Sequence, residues 1–553
     1  MGDSDSEASA IHYEDIRDPK LDELVREVLE EFHSPGLSIA ILHNGKVKAK
    51  GYGFADLEEK IPVEPETLFC CASTTKSFTS AVAGGLVESP DHPITWQTPL
   101  AELIRDDFVL DQRSAGGQWA TSHVTIEDAL SHRTGLPRHD KTWINGTWSD
   151  REVVRSLRFL PMHHELREKW EYSNVPYTAV AHAVETVTGV SFGTLLRDHI
   201  FHPLGMLNTT YNLADAQKLS EKNEKARLAR AHLWNEASNQ YERVSWDDVP
   251  PEHGSGGIIS NVLDYTRWMQ HLMTTPQDHN HVLSKNVVAA LRKPRMLVEK
   301  KPQRPWIGPE AYCLGLYSQV YRGREILSHT GAIAGYMANM LMVPPTAAEI
   351  GQGKSGWAVM LLQNSYSMAY DIIVQHLLDD YLQTPEAERF DTAKHMRQAQ
   401  KDKEAELKED AIIKKLFGEK AMSSHVPPSL QVQRFEGVYQ HPAYHAYRLS
   451  MSKPARGGTE PNTTMEQQSH QEEAGVPLYL TPAGKAYLDV TATLHHVSGD
   501  YWWALQCMGP STWITDEALK VQFVIGADGE VKGMRFQAEP SMPDELAFFL
   551  KVE

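Results

Sequence analysis

A chain of 553 residues, 41% hydrophobic and 23% charged, has the make-up of a globular protein with more than one domain and a large core. Its formal net charge of −19, from 73 acids against 54 bases, excludes nucleic acid or an anionic membrane as the main partner. Four cysteines, Cys70 and Cys71 adjacent and Cys313 and Cys507 far apart, make neither a disulfide framework nor a CxxC metal site, and are expected to be reduced and buried.

The first residues, Met1-Gly2-Asp3-Ser4-Asp5-Ser6, are acidic and polar, and residues 1–17 are expected to form a disordered tail without a secretory signal. No apolar run is long enough to span a bilayer, so the expected location is cytoplasmic. Apolar residues at helical spacing (Leu21, Leu24, Val25, Val28, Leu29, Phe32) predict an amphipathic helix. A hairpin follows, Gly36 to Leu42 and Lys46 to Tyr52 about the turn Asn44-Gly45.

Ser73 to Glu88 reads as a helix with small residues along one side (Ser77, Ala81, Gly84, Gly85), as close packing requires. Ser73 and Lys76, three residues apart, share a helix face, so the lysine Nζ can reach the serine Oγ. Further helices are expected at Ile126 to Ser131, Tyr177 to Val187 and Val262 to Met273, with a small-residue turn, Gly254-Ser255-Gly256-Gly257, before the last. Strands are expected at Tyr312 to Tyr321, twice within Glu325 to Val343, and at Trp357 to Asn364, then a helix from Met368 to Leu382. This order gives an α+β fold in which a helical insertion interrupts one antiparallel sheet within residues 18–388. Residues 389–428, charged with both signs, read as a linker or solvated helix. Short Tyr, Trp, Val and Thr runs across residues 429–553 predict a small all-β barrel, with Met451 to Val476 as a disordered loop.

Three separated pieces carry chemistry: Ser73-Thr74-Thr75-Lys76, Tyr172-Ser173-Asn174 and His329-Thr330-Gly331. In this order they resemble the serine β-lactamase and penicillin-binding-protein superfamily, in its branch of class C β-lactamases, DD-peptidases and esterases. Ala129-Leu130-Ser131-His132-Arg133-Thr134-Gly135-Leu136, Glu185-Thr186-Val187-Thr188-Gly189, Pro203-Leu204-Gly205-Met206 and Tyr312-Cys313-Leu314-Gly315 resemble further runs of that branch. The resemblance spans residues 20 to 385 and implies a β-lactamase/transpeptidase-like sheet with helices on both faces. The C-terminal part is similar to the lipocalin-like barrels that follow some relatives.

The resemblance implies that Ser73 attacks an ester or amide carbonyl and forms an acyl-enzyme. Lys76 and Tyr172 would share the proton transfers, either being able to take the Ser73 proton. Asn174 would orient Lys76 or the substrate, and the strand His329-Thr330-Gly331-Ala332 would flank the acyl group, the N–H groups of Ser73 and Ala332 forming an oxyanion hole. His329 stands where β-lactamases usually carry lysine, which weighs against β-lactam or peptidoglycan substrates and leaves esters, other amides and acyl carriers open. His132 reads as a structural turn residue. His163-His164 and His279-x-His281 lack an HExxH frame or a carboxylate at helical spacing, so neither metal nor cofactor is expected.

The expected activity is hydrolysis of an ester or amide in a small molecule or peptide. An acyltransferase passing the same acyl group to an alcohol or amine is the first alternative, and a non-catalytic binding protein on the same fold the second. The barrel is expected either to cover the cleft or to mediate self-association into a homo-oligomer.

Overall fold

The computed structural model describes residues 11–235, 238–244, 253–274, 282–299, 305–306, 308–333, 335–423, 425–452, 477–488, 490–508 and 515–553. His279, His281 and most of the polar loop expected over Met451 to Val476 lie outside the described residues, as do the first ten of the acidic tail.

The chain opens with β1 (Tyr13–Asp15), which lies parallel to Val47–Ala49. Residues 13–15 of the expected tail are therefore ordered, because the edge of the hairpin offers unpaired backbone groups for them to bond. Helix α1 (Pro19–Glu31) starts where the Asp18 carboxylate accepts from the N–H groups of Lys20 and Leu21, and it buries Leu21, Val25, Val28 and Leu29. The hairpin β2 (Gly36–His43) and β3 (Lys46–Asp56) follows. Between β3 and the rest of the sheet lies the helical insertion, with α2 (Thr75–Val87), α3 (Val175–Thr188) and α4 (Val262–Met273). The sheet resumes with β4 (Met296–Val298), β5 (Glu310–Tyr312), β6 (Tyr317–Tyr321), β7 (Arg324–Ile333), β8 (Tyr336–Val343) and β9 (Trp357–Gln363), closed by α5 (Ala369–Tyr381).

Strand order across the sheet is β1-β3-β2-β9-β8-β7-β6-β5-β4. Every pair but β1–β3 is antiparallel. Side-chain alternation divides the central strands between two cores. Leu37, Ile39, Leu341, Val359 and Leu361 meet α1 and α5 on one face. Ala40, Leu42, Ala338, Met340, Met360 and Leu362 meet Phe78 of α2 and Trp268 and Leu272 of α4 on the other.

Two local expectations need correction. The strand expected from Tyr312 to Tyr321 is two strands, because Gly315 takes φ +78 and reverses the chain, pairing Tyr312 with Tyr317. A Cβ on Gly315 would stand 2.6 Å from the Lys76 carbonyl carbon and oxygen, so this turn presses on α2. On α2, Gly84 does face packing, with a Cβ there 2.6 Å from Val287, whereas Gly85 faces open space. The side of small residues is thus narrower than its spacing suggests.

Two helices, Thr392–Glu406 and Glu409–Phe417, lead into a closed antiparallel barrel of eight strands between Gly437 and Lys551. Its interior is filled by Phe435, Tyr439, Tyr447, Trp502, Phe523, Phe536 and Phe549, with Phe435 and Phe523 ring centroids 4.5 Å apart. Among the described residues no single helix is long and apolar enough to cross a membrane. None of the four cysteines is in a disulfide, and all are buried.

Candidate active site

Ser73 sits one turn earlier than its spacing suggests. Ala72–Thr74 form a 3₁₀ turn and the α-helix begins at Thr75. Ala72 is held at φ +45, a strained conformation for a residue with a Cβ, and it sets the angle at which the serine leaves the strand before it. The turn is anchored from two sides: Thr74 Oγ1 donates to Cys71 O at 2.9 Å, and Thr75 Oγ1 accepts from the Ile258 N–H at 3.1 Å.

Lys76 is fully buried, while Ser73 and Tyr172 are partly exposed at the surface above it. Lys76 Nζ donates to Ser73 Oγ at 3.1 Å, Asn174 Oδ1 at 2.8 Å and Ser255 O at 3.0 Å. These three acceptors match the three hydrogens of an ammonium group, so the buried cation is satisfied. Tyr172 Oη lies 2.8 Å from Ser73 Oγ, and the Lys76 ammonium stands 4.9 Å from the Tyr172 ring centroid. One hydroxyl thus touches both the Lys76 amino group and the Tyr172 hydroxyl. The Gly254–Gly257 run, expected as a turn, is largely a short helix, His253–Gly256, which supplies the third acceptor, and Thr79 Oγ1 fixes it by donating to Gly254 O at 2.5 Å.

Behind Asn174 stands a residue that motif spacing does not reveal. Asn174 Nδ2 donates to Asp140 Oδ1 at 3.0 Å, and Asp140 also accepts from Trp143 Nε1 at 3.0 Å and Arg138 Nε at 2.6 Å. The Asp140 carboxylate therefore fixes which way the Asn174 amide points, with its oxygen toward Lys76. The segment carrying Asp140 is gripped by the barrel. The His139 N–H donates to Glu539 Oε2 at 2.7 Å, Tyr444 Oη donates to His139 Nδ1 at 2.6 Å, and His445 Nε2 donates to Thr142 O at 2.7 Å. Asn145 bonds the Tyr447 hydroxyl, and the N–H groups of Tyr487 and Leu488 donate to Ile144 O at 3.0 and 3.1 Å. No sequence signal joins residue 140 to residue 539.

His132 is a turn residue, with φ +55, as its surroundings in the sequence suggest. It also has a second task. Its carbonyl accepts the Glu171 N–H at 2.9 Å and its Nδ1 accepts the Ser173 N–H at 3.2 Å, so it holds both neighbours of Tyr172. Its ring centroid lies 4.3 Å from that of Tyr172. Burial and the Lys76 cation hold His132 well below the usual histidine range, so it is neutral.

On β7 the expected residues divide between two faces. A Cβ built on Gly331 would stand 2.3 Å from Cys71 O and 3.1 Å from the Ser73 nitrogen, so the strand runs directly against the serine turn. His329 is on that side. Its Nδ1–H donates to Thr330 O at 2.6 Å, and its Nε2 accepts from Tyr312 Oη at 3.0 Å. Burial first, and the Lys76 cation second, push His329 down to about 3, so it is neutral at physiological pH. Thr330 was expected beside the acyl group. Its side chain instead turns to the opposite face, where it lines a cavity of about 330 Å³ with Asn339, Asp371 and His395, because adjacent strand residues alternate. Ala332 follows Gly331 along β7 and is paired with Met337.

The sequence model of the family described as Beta-lactamase matches residues 21–380. An unguisins hydrolase, ungD', of Aspergillus campestris is 32% identical over 97% of this chain and 92% of its own length, and ungD of Aspergillus violaceofuscus is 32% identical over 95% and 89%. Among solved structures, the octameric penicillin-binding protein homologue from Pyrococcus abyssi matches 96% of this chain and 99% of its own with a TM-score of 0.55 at 18% identity. That likeness covers the sheet, the helical insertion and the barrel alike.

Proposed function

As the chain belongs to the beta-lactamase family, we propose that it is a serine hydrolase cleaving an ester or amide through an acyl-enzyme on Ser73. The observation that carries this reading is the placement of Ser73 Oγ, 3.1 Å from Lys76 Nζ and 2.8 Å from Tyr172 Oη. For Oγ to bond to the carbonyl carbon, one member of the Lys76–Tyr172 pair must first stand deprotonated, as the free amine or as the phenolate; that group takes the Ser73 proton, and the carbonyl oxygen takes up the negative charge. Collapse breaks the bond to the leaving group, which receives the proton from the same pair. Water then repeats the cycle and frees Ser73. The N–H groups of Ser73 and Ala332 are the donors we assign to the oxyanion, a role supported by the close approach of Gly331 to the serine turn.

Neutral His329 gives the β7 side of the cleft no fixed cation with which to meet a substrate carboxylate. This favours an acyl group that is uncharged next to the scissile bond. The Aspergillus relatives are named as hydrolases of unguisins, which makes an unguisin the first natural substrate to try. A cytoplasmic location, which four cysteines outside disulfides suit, and self-association, as in the Pyrococcus abyssi octamer, belong to the same reading.

The test is intact-protein mass spectrometry after incubation with a fluorophosphonate, a panel of activated esters and amides, and an unguisin, with an added alcohol or amine in half of the samples. An adduct on the wild type that Ser73→Ala lacks, released by water, is the expected result. Release only to the added acceptor would make the protein an acyltransferase. Absence of any adduct on folded protein would remove the hydrolase reading.

A further inference from the structure

His163 and His164 stand on the loop that runs from Pro161 to the Tyr172 segment. Both of their backbone N–H groups donate to Gly135 O, at 2.9 and 3.1 Å, and their rings stack with centroids 3.9 Å apart. Both side chains converge on one carboxylate. His163 Nδ1 lies 2.9 Å from Glu171 Oε1, and His164 Nε2 lies 3.6 Å from Glu171 Oε2. One ligand atom from each of the three residues lies within 4.8 Å of the others. The side chains are 29%, 19% and 15% exposed, so the cluster can be reached from solvent.

We propose that His163, His164 and Glu171 form a binding site for a divalent cation of the Zn²⁺ class. Two imidazoles and a carboxylate are a donor set that zinc accepts with water completing a tetrahedron. Nitrogen and oxygen donors of this kind also suit Ni²⁺ and Cu²⁺. Zinc–ligand bonds of about 2.0–2.2 Å place ligand atoms about 3.3 Å apart, between the 2.9 and 3.6 Å of the two histidine–carboxylate pairs, so what remains is to bring the two imidazoles together from within 4.8 Å. Side-chain rotation supplies that in partly exposed groups. The carboxylate was invisible to sequence reasoning because it lies eight and seven residues beyond the two histidines on an irregular loop, not one helical turn away.

The position of the site gives the cation a structural consequence. Glu171 directly precedes Tyr172, and its N–H is bonded to His132 O. An ion held by all three residues ties the start of the 163–171 loop to its end. It thereby fixes the entry to the segment that carries Tyr172, without touching Ser73 or Lys76.

The proposal is tested on full-length protein stripped with a chelator, by calorimetric titration with ZnCl₂ and by thermal melting with and without Zn²⁺. Wild type is compared with the double variant His163→Asn/His164→Asn, with Glu171→Gln, and with the control His279→Asn/His281→Asn. Wild type is expected to bind one equivalent at low-micromolar affinity and to melt at a higher temperature when loaded. Affinity is expected to fall by tenfold or more in the double variant and in Glu171→Gln, and to be unchanged in the control. A loss in either folded variant with an unchanged control supports the site, and Glu171→Gln decides if the double variant does not fold. No saturable binding by wild type, undiminished affinity in every folded variant, or a loss confined to the control overturns it.

Discussion

At the candidate active site β7 runs backbone against the serine turn, and a single methyl group tests that approach. In Gly331→Ala the new Cβ would stand 2.3 Å from Cys71 O, 3.1 Å from Ala72 Cβ and 3.1 Å from the Ser73 nitrogen. Ordinary contact begins near 3.4 Å, and the nearest atoms are backbone, so β7 and the serine turn must separate by about 1 Å. A displacement of that size at a reacting centre costs about 10²-fold in rate, and loss of one oxyanion donor costs about 10²–10³-fold. The strain itself destabilises the fold by about 1–3 kcal/mol. The assay is the second-order rate of Ser73 labelling by a fluorophosphonate, which needs no knowledge of the substrate, with melting temperature measured beside it. Gly85→Ala is the control, since nothing lies within 4 Å of its Cβ. Alanine in a helix interior is expected to leave labelling unchanged and to stabilise by up to about 1 kcal/mol. A Gly331→Ala rate within about threefold of wild type, against the expected 10²-fold loss, would refute the assignment of β7 to the oxyanion side of the site.

Asn174→Ala takes one acceptor from the buried Lys76 ammonium, a charged hydrogen bond worth about 1.5–3 kcal/mol. Ser73 labelling should slow by about tenfold to 10²-fold, and an unchanged rate would remove Asn174 from the machinery. Glu539→Ala, on the barrel, frees the His139 N–H and loosens the Asp140 segment. It is expected to lower kcat several-fold with little change in KM, and an unaltered kcat would separate the barrel from catalysis. His329 carries a pH signature. Its folded pKa of about 3 lies below the usual histidine value, so the unfolded chain binds the proton first. Stability present above about pH 6.5 is therefore lost on acidification toward pH 3, at about 1.4 kcal/mol per pH unit. Denaturant unfolding of His329→Gln should lose about 2 kcal/mol less than wild type between pH 7 and 5. Equal losses in the two proteins would mean that His329 is not buried neutral.

Much of the fold is legible because period and punctuation are local properties. The stripe Leu21, Val25, Val28, Leu29 fixed α1, the Asn44-Gly45 turn fixed the first hairpin, and Val262 to Met273 appears as a helix over that very span. Failures came where a neighbour distant in the chain decides. Tyr13–Asp15 become a strand only because β3 presents an open edge. Gly315 bends a strand-like run against the backbone of Lys76. Thr330 leaves the cleft because His329 and Gly331 occupy the inward positions of the same strand.

The same division runs through the site. The sequence by itself singled out the candidate trio, since Ser73 and Lys76 are neighbours on one turn, and Tyr172-Ser173-Asn174 is a short pattern with a chemical meaning. It also determined that position 329 is a histidine. Only the tertiary structure decided that this histidine is neutral, because its protonation depends on burial and on a lysine 253 positions earlier in the chain. Only the tertiary structure could join Glu539 and His139 to Asp140, Asn174 and Lys76. A hydrogen bond between residues hundreds of positions apart leaves no periodicity in the chain, and it exists only once both domains have folded against each other.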